Sequence, residues 1–436
     1  MGRSTRLPLA FAVALGLGSL VSSASPVDAA AAAGARIELR VTPASSLMDE
    51  PLAISVRGLK PKSSAQLQVT STDVNGVAFS SEATFRANAD GVVNPARMAP
   101  TAGSYTGVNA MGLIDTMSPI TPGSGGLYFW GFAPHSFTFM VSVLGQQSAS
   151  ITIERSIAKS GVDRLPVSLS EAGFVGQLYQ PPPGAAKKPA VLEIGGSGGG
   201  LSGGLVGGLL ASHGYPTLDL AYFKLPDLPA TLSNIPLEYF TQALTWLGSQ
   251  PNVDPRQIYV LGTSRGSEAA LLLGAHFPDL VAGVIGSVPS NVVLCSPTCD
   301  SPAWTLNGQP LPYTRQFNNP APTDVPDAVI PVERIRGPIL LVCGGSDLVW
   351  HSCDYARAIR DRLAARDVTR PHALLTYPSA GHGVGLLVRY EPGVGSASSV
   401  AGGRFNAAGE TVGANAAALA KAWPRVLAFV DNRGRR

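Results

Sequence analysis

The stretch that most constrains this chain is Val253–Leu273. There Ile258-Tyr259-Val260-Leu261 runs directly into Gly262-Thr263-Ser264-Arg265-Gly266 and then into residues rich in Ala and Leu. The first run has the β-branched and aromatic character of a buried parallel strand, and the last is made of helix formers. Strand, Gly-x-Ser-x-Gly and helix, in that order, form a nucleophile elbow. So tight a turn leaves no room for side chains at Gly262 and Gly266, and it forces Ser264 into a strained conformation. In return the Ser264 hydroxyl projects at the C-terminal edge of a sheet, at the positive end of the next helix. Ser264 is the expected nucleophile.

An elbow serine needs an acid and a histidine from later in the chain, in that order. Four histidines follow the elbow: His276, His351, His372 and His382. His276 is carried away from the turn by about three turns of helix. His372 opens a strand and so stands at the wrong edge, and His351 belongs to a helix start. His382 lies in Pro378-Ser379-Ala380-Gly381-His382-Gly383, a loop just past the strand Ala373–Tyr377, at the same C-terminal edge as Ser264. The acid is expected after the preceding strand, where Ile339–Cys343 leads into Gly344-Gly345-Ser346-Asp347. Asp347 would hold the His382 tautomer and stabilise its imidazolium. Its rival, Asp354, reads instead as a charge at a helix start.

Two backbone amides should hold an oxyanion. One belongs to Arg265, directly after the nucleophile. The other should come from Gly195-Gly196-Ser197-Gly198-Gly199-Gly200-Leu201, with Ser197 or Gly198 as the donor. Gly199, Gly200 and Lys224 are candidate substrate contacts beside that loop. Arg265 and Lys224 could also draw an anionic tail to the pocket mouth. The simpler reading makes them solvated charges, or for Arg265 a contact with Glu268 three residues on. As a dinucleotide-binding loop the glycine run fails, because it follows the second strand of its domain instead of opening the first βαβ unit. No metal or cofactor is implied.

The remainder divides into segments. Residues 1–33 carry Arg3 and Arg6, an apolar run Leu7–Val21 and small residues with possible cleavage after Ala24, Ala29 or Ala33, which is the pattern of an export signal. Residues 35–156 alternate in short runs such as Ile37–Val41, Leu52–Val56, Ala65–Val69 and Phe137–Leu144. Turn signals such as Asn75-Gly76, Asp90-Gly91 and Pro122-Gly123 separate them, and the expectation is an all-β, immunoglobulin-like sandwich. That sandwich is either a lid, wall or partner surface for the site, or a passive stabilising module. A linker, 157–165, leads to a catalytic domain over 166–436. Strands at Phe174–Tyr179, Ala190–Ile194, Thr217–Ala221 and Val281–Gly286 alternate with helices there, and the expected fold is an α/β hydrolase with a mostly parallel central sheet and helices on both faces. Leu237, Phe240, Leu244 and Leu247 form a helical core stripe.

With 14% charged residues and a net charge of +3, the chain shows neither a basic cluster nor interleaved aromatics, which excludes nucleic acid. No stretch of the mature chain is long and apolar enough for a membrane span. The four cysteines suggest two local disulfides, Cys295–Cys299 and Cys343–Cys353, among three possible connectivities.

Further motifs carry a resemblance. Leu47-Met48-Asp49-Glu50-Pro51, Gly103-Ser104-Tyr105-Thr106-Gly107 and Asn109-Ala110-Met111-Gly112-Leu113 occur in the first half. His213-Gly214-Tyr215, Leu220-Ala221-Tyr222, Asn307-Gly308-Gln309-Pro310, Asp347-Leu348-Val349-Trp350 and Gly381-His382 follow in the second. With the elbow, they make nearly the whole mature chain resemble the acyl-CoA thioesterases and bile acid-CoA:amino acid N-acyltransferases. The resemblance implies a β-sandwich followed by a hydrolase domain, and a triad at Ser264, Asp347 and His382. Two departures stand out. The transferase branch has Cys at the nucleophile position, and an acyl-Ser ester is left mainly to water, which points to hydrolysis. Animal members are intracellular, some ending in a peroxisomal tripeptide, whereas this chain begins with an export signal and ends Asn432-Arg433-Gly434-Arg435-Arg436.

The expected activity is serine-dependent hydrolysis of acyl-CoA-type thioesters in an exported, periplasmic or secreted protein. The alternatives are a carboxylesterase acting on oxygen esters, an amino acid N-acyltransferase, and a non-catalytic binding protein on a hydrolase scaffold.

Overall fold

A computed structural model describes residues 36–121, 124, 127–144, 148–182, 184, 186–395 and 413–431. The export segment 1–33, the turn Pro122-Gly123 and the tail Asn432–Arg436 lie outside the described residues.

The first half is built of β1 (Glu38–Thr42), β2 (Ser45–Leu47), β3 (Ala53–Arg57), β4 (Ser64–Thr72), β5 (Ala78–Arg86), β6 (Ala102–Gly103), β7 (Ser118–Pro119), β8 (His135–Ser142) and β9 (Ala149–Ser156), with one short helix, α1 (Gly112–Asp115). β1 pairs with β3, and the others form a sheet of order β2-β9-β8-β4-β5-β6 with β7 also on β5. Period-two alternation sorts the side chains: Ala65, Leu67 and Val69 of β4 and Phe79, Ala83 and Phe85 of β5 turn into one core with Leu39, Val41, Ile54 and Val56 of the smaller sheet. This is the expected sandwich.

The segment read as a linker is not a tether. Ile157 is buried, and residues from Asp163 onward form an edge strand, β10 (Asp163–Val167), of the second sheet. Its charges and Pro166 hid it, since an edge strand can expose one side to water and dispense with one N–H. After α2 (Leu169–Ala172) come β11 (Val175–Gln180), β12 (Lys188–Ile194), α3 (Leu205–Ser212), β13 (Thr217–Ala221), β14 (Ile235–Pro236), α4 (Leu237–Gly248), β15 (Val253–Thr263), α5 (Arg265–His276) and β16 (Gly283–Ser287). The short β17 (Trp304–Leu306) and β18 (Gln309–Pro310) join β14 in a small sheet. β19 (Ile339–Gly344), α6 (Ser352–Ala365), β20 (His372–Tyr377) and α7 (Ala414–Val430) complete the chain.

The eight-stranded sheet runs β10-β11-β13-β12-β15-β16-β19-β20. It is parallel from β13 to β20 and antiparallel at β10 and β11. Alternate residues face opposite sides. Leu192, Val260, Val284 and Leu341 pack with α4, α5 and α6, while Val191, Leu261, Ile285 and Val342 pack with α3 and α7. Leu237, Phe240, Leu244 and Leu247 are buried, as the stripe requires.

The two sheets meet on the α3 and α7 side. Asp49 Oδ2 accepts His213 Nε2 and Trp423 Nε1, both at 2.7 Å, and Arg389 Nε donates to the Asp49 carbonyl at 2.7 Å. Trp130 Nε1 donates to Glu391 Oε2 at 2.9 Å, and the Gly395 amide donates to the Asp115 carbonyl at 2.7 Å. The sandwich therefore braces the segment that follows His382.

Candidate active site

Backbone geometry at the elbow is severe. Ser264 has φ 57° and ψ −120°, a region side-chain-bearing residues rarely occupy. A Cβ on Gly262 would fall inside the Gly266 carbonyl, and one on Gly266 inside the carbonyls of Ile194 and Gly195. Only glycine fits at either position. The Ser264 amide donates to Ser287 O at 2.9 Å, and the Ser264 carbonyl starts α5 by accepting Ser267 N at 2.9 Å.

Asp347 leaves the end of β19 and His382 opens the short 3-10 turn His382–Leu386 beyond β20. Asp347 Oδ2 meets His382 Nδ1 at 2.8 Å, with both residues almost fully buried. Asp347 Oδ1 accepts Val349 N at 3.1 Å and Trp350 N at 3.3 Å. Because β15, β19 and β20 run parallel, Ser264, Asp347 and His382 share one sheet edge. Thr263 Oγ1 ties the elbow to the histidine turn by donating to Gly385 O at 3.1 Å. The competing residues stand where the sequence put them: His276 ends α5, His372 opens β20, and His351 occupies the residue before α6, its Nδ1 3.5 Å from Asp354. Asp354 also pairs with Arg357.

Gly196 is the loop residue that abuts the serine: a Cβ there would lie 3.2 Å from Ser264 Cβ and 3.7 Å from its Oγ. Next along the loop, Ser197 and Gly198 are exposed. Gly199 and Gly200 take left-handed conformations, φ 68° and 70°, and Gly200 N donates to Phe223 O at 2.9 Å. Lys224 Nζ donates to Gly198 O at 3.0 Å, so in this structure its ammonium braces the loop. The Arg265 side chain turns inward, away from any pocket mouth. Its guanidinium lies 2.9 Å from Glu268 and donates to Leu294 O at 3.1 Å and Cys295 O at 3.0 Å. Here the local i,i+3 contact wins over the anionic tail. Glu268 also accepts Trp304 Nε1 at 2.6 Å, and burial pushes its carboxyl up to about 7 against the pull of Arg265.

Several residues to which the sequence reading gave no role at the site shape this edge. Tyr222 Oη donates to Gly195 O at 2.8 Å and pins the start of the glycine loop. Glu193 and Asp219 face each other across β12 and β13, and Asp219 accepts Ser202 N at 2.9 Å. Burial pushes both carboxyls up, Asp219 to about 7, with their mutual repulsion adding to the rise at Glu193. The pair therefore retains a proton near neutrality, and Asp219 anchors the far end of the glycine loop. Trp350 sits edge-on to His382, ring centroids 5.9 Å apart, and its Nε1 donates at 3.0 Å to the carbonyl of Val288. Val288 has φ 43°, which is unusual for a β-branched residue. Asn415 of α7 accepts the Gly381 amide at 2.9 Å. The glycines at 195, 196 and 381 could have flagged loops needing partners, but nothing local names those partners.

Both disulfides form the local pairs expected: Cys295–Cys299 with Cα atoms 4.9 Å apart and Cys343–Cys353 at 5.0 Å. Among the described residues there is no cluster of three or more His, Cys, Asp or Glu able to hold a metal ion, and no helix long and apolar enough to cross a membrane.

A mostly parallel eight-stranded sheet with a strained serine elbow, and an Asp–His pair delivered by its last two strands, defines an enzyme of the α/β-hydrolase class. Comparison with known proteins takes the assignment further. Residues 49–169 match the acyl-CoA thioester hydrolase/BAAT N-terminal region, and residues 235–434 match the BAAT/acyl-CoA thioester hydrolase C-terminal region. Mouse acyl-coenzyme A thioesterase 6 is 33% identical over 368 residues, 79% of this chain and 84% of its own. Mouse acyl-coenzyme A thioesterase 3 is 31% identical over 415 residues, 88% and 91% of the two chains. The chain belongs to the acyl-CoA thioester hydrolase/BAAT family and is a thioesterase-like hydrolase. Among solved structures, a dienelactone hydrolase-like phosphotriesterase from metagenomic libraries aligns over 62% of this chain and 97% of its own, at 15% identity and a TM-score of 0.40.

Proposed function

We propose that the protein hydrolyses acyl-CoA-type thioesters through an acyl-Ser264 intermediate. The observation that carries this reading is the buried 2.8 Å contact of Asp347 with His382 Nδ1, at the sheet edge that presents the elbow. Asp347 fixes the tautomer whose unprotonated Nε2 accepts the Ser264 proton. The Ser264 oxygen then attacks the acyl carbonyl, and the oxyanion is held by the Arg265 amide and by a loop amide, Ser197 in preference to Gly198 because Gly196 is the residue against the serine. As the C–S bond breaks, His382 returns its proton to the departing thiolate. A water deprotonated by His382 next attacks the acyl ester, releasing the free acid and regenerating Ser264. Gly199 and Gly200 shape the pocket wall, with Lys224 beside them.

Export belongs to the same proposal. It is supported by the basic, apolar and small-residue sequence of 1–33 and by two disulfides, which persist in oxidising compartments. The test compares wild type with S264A on a panel of acyl-CoA thioesters and p-nitrophenyl esters. Loss of kcat on the order of 10⁴-fold or more is expected, with kcat/KM higher for the thioesters. Turnover that survives in S264A defeats the reading.

A further inference from the structure

All four cysteines of the chain are bridged, and both bridges land beside the proposed site. We propose that the Cys343–Cys353 disulfide is a positioning element for Asp347, closing the acid-bearing loop into a ring and making the activity conditional on oxidised thiols. The inference rests on the reading of Asp347 as the partner of His382.

Cys343 is buried near the end of β19 and Cys353 is buried in the first turn of α6. Between them, residues 344–352 leave the sheet, present Asp347 and enter the helix. The near side of this loop is held by hydrogen bonds: Gly345 N to Tyr377 O at 2.9 Å and Ser346 N to Ala380 O at 3.0 Å. Beyond Asp347 the anchoring changes character. Leu348 and Val349 are 57% and 41% exposed and contribute little burial. Asp347 Oδ1 accepts Val349 N and Trp350 N, which move with the same loop. The far side is tied by the covalent bridge from α6 back to β19, by Trp350 Nε1 on Val288 O, by His351 N on Asn318 Oδ1 at 2.7 Å and by Ser352 Oγ on Gly344 O at 3.5 Å; of these only the bridge is covalent.

Opening the bridge with a dithiol transfers two electrons and two protons to the sulfur atoms. The S–S bond breaks, Cys343 and Cys353 become thiols, and the dithiol closes to its own disulfide. α6 stays packed on the sheet through Ala356, Ile359 and Leu363; opening the bridge loosens the loop before it, and a drift of about 1 Å of Asp347 from His382 lowers turnover on the order of a hundredfold. The imidazolium formed in turnover would also lose its neighbouring carboxylate, so the loss falls on kcat and not on substrate binding. Cys295–Cys299 is the internal comparison: its carbonyl at Cys295 meets Arg265, but it does not span the acid.

The experiment uses the full chain as wild type, C343A/C353A and C295A/C299A. Each is assayed for p-nitrophenyl ester kcat and KM and for the rate of Ser264 labelling by a fluorophosphonate. In C343A/C353A, kcat and labelling are expected to fall about tenfold or more, with KM little changed; C295A/C299A keeps the wild-type kcat and labelling rate. Wild type reduced with dithiothreitol and shown folded by near-UV circular dichroism is a second route, its activity expected to return as Cys343–Cys353 re-forms. Wild-type kcat and labelling in folded C343A/C353A, or in folded wild type with that bridge open, overturn the inference. Wild type that does not label at Ser264 sinks the functional reading instead.

Discussion

Replacing Glu391 by Gln tests whether the seam between the sandwich and the catalytic sheet stores a proton. Glu391 is 3% exposed, and its Oε2 accepts Trp130 Nε1 at 2.9 Å from the other side of the seam. Burial pushes the carboxyl from its ordinary 4.5 up to about 8, the Trp130 hydrogen bond opposing that rise. A folded-state value raised this way gives stability that is fully present below 4.5 and lost as pH climbs through about 8, because the unfolded chain has released a proton the native state still holds. Its slope approaches about 1.4 kcal/mol per pH unit, so the loss between about pH 5 and pH 8 is on the order of 3 kcal/mol. Glutamine keeps the size and the acceptor for Trp130 but has no proton to lose. Urea unfolding of both proteins across this range, followed by tryptophan fluorescence, isolates the contribution, since the other buried carboxyls titrate in both and cancel. Wild-type stability relative to E391Q should fall steadily with rising pH; a difference that stays flat refutes a protonated Glu391.

Three further outcomes are expected. D347N should keep the fold but favour the wrong His382 tautomer, lowering ester kcat on the order of 10⁴-fold with KM little changed; a loss below about tenfold would remove Asp347 from its assigned role. G266A should fail to reach the native state, or lose more than about 4 kcal/mol, because its methyl would enter the Ile194 and Gly195 carbonyls; a wild-type melting temperature contradicts the elbow geometry. D49A should destabilise by about 3 kcal/mol or more in thermal unfolding, since His213 and Trp423 lose a shared buried acceptor; an unchanged transition means the seam bonds contribute nothing.

The elbow was readable from residues alone because its geometry is local. Gly262 and Gly266 bracket Ser264 within one turn, and no other residue type fits where the backbone passes itself. Asp347 and His382 were readable by a weaker route, since each follows a strand and parallel strands deliver their C-terminal ends to one edge. The exposed edge strand β10 escaped for the opposite reason: its charges and Pro166 look like a tether, and only pairing with Val175–Gln180 makes it part of the sheet.

Tertiary structure decided the rest. That Asn415 would hold the Gly381 amide, that Tyr222 would pin Gly195, and that Trp350 would stand edge-on to His382 depends on which helix covers which face of the sheet. Glu391 reads as an ordinary solvated acid until Trp130, 261 residues away, closes over it. A strained turn is specified by atoms a few bonds apart, whereas a carboxyl's proton or a distant hydrogen bond is specified by what excludes water, and that exists only once the chain has packed.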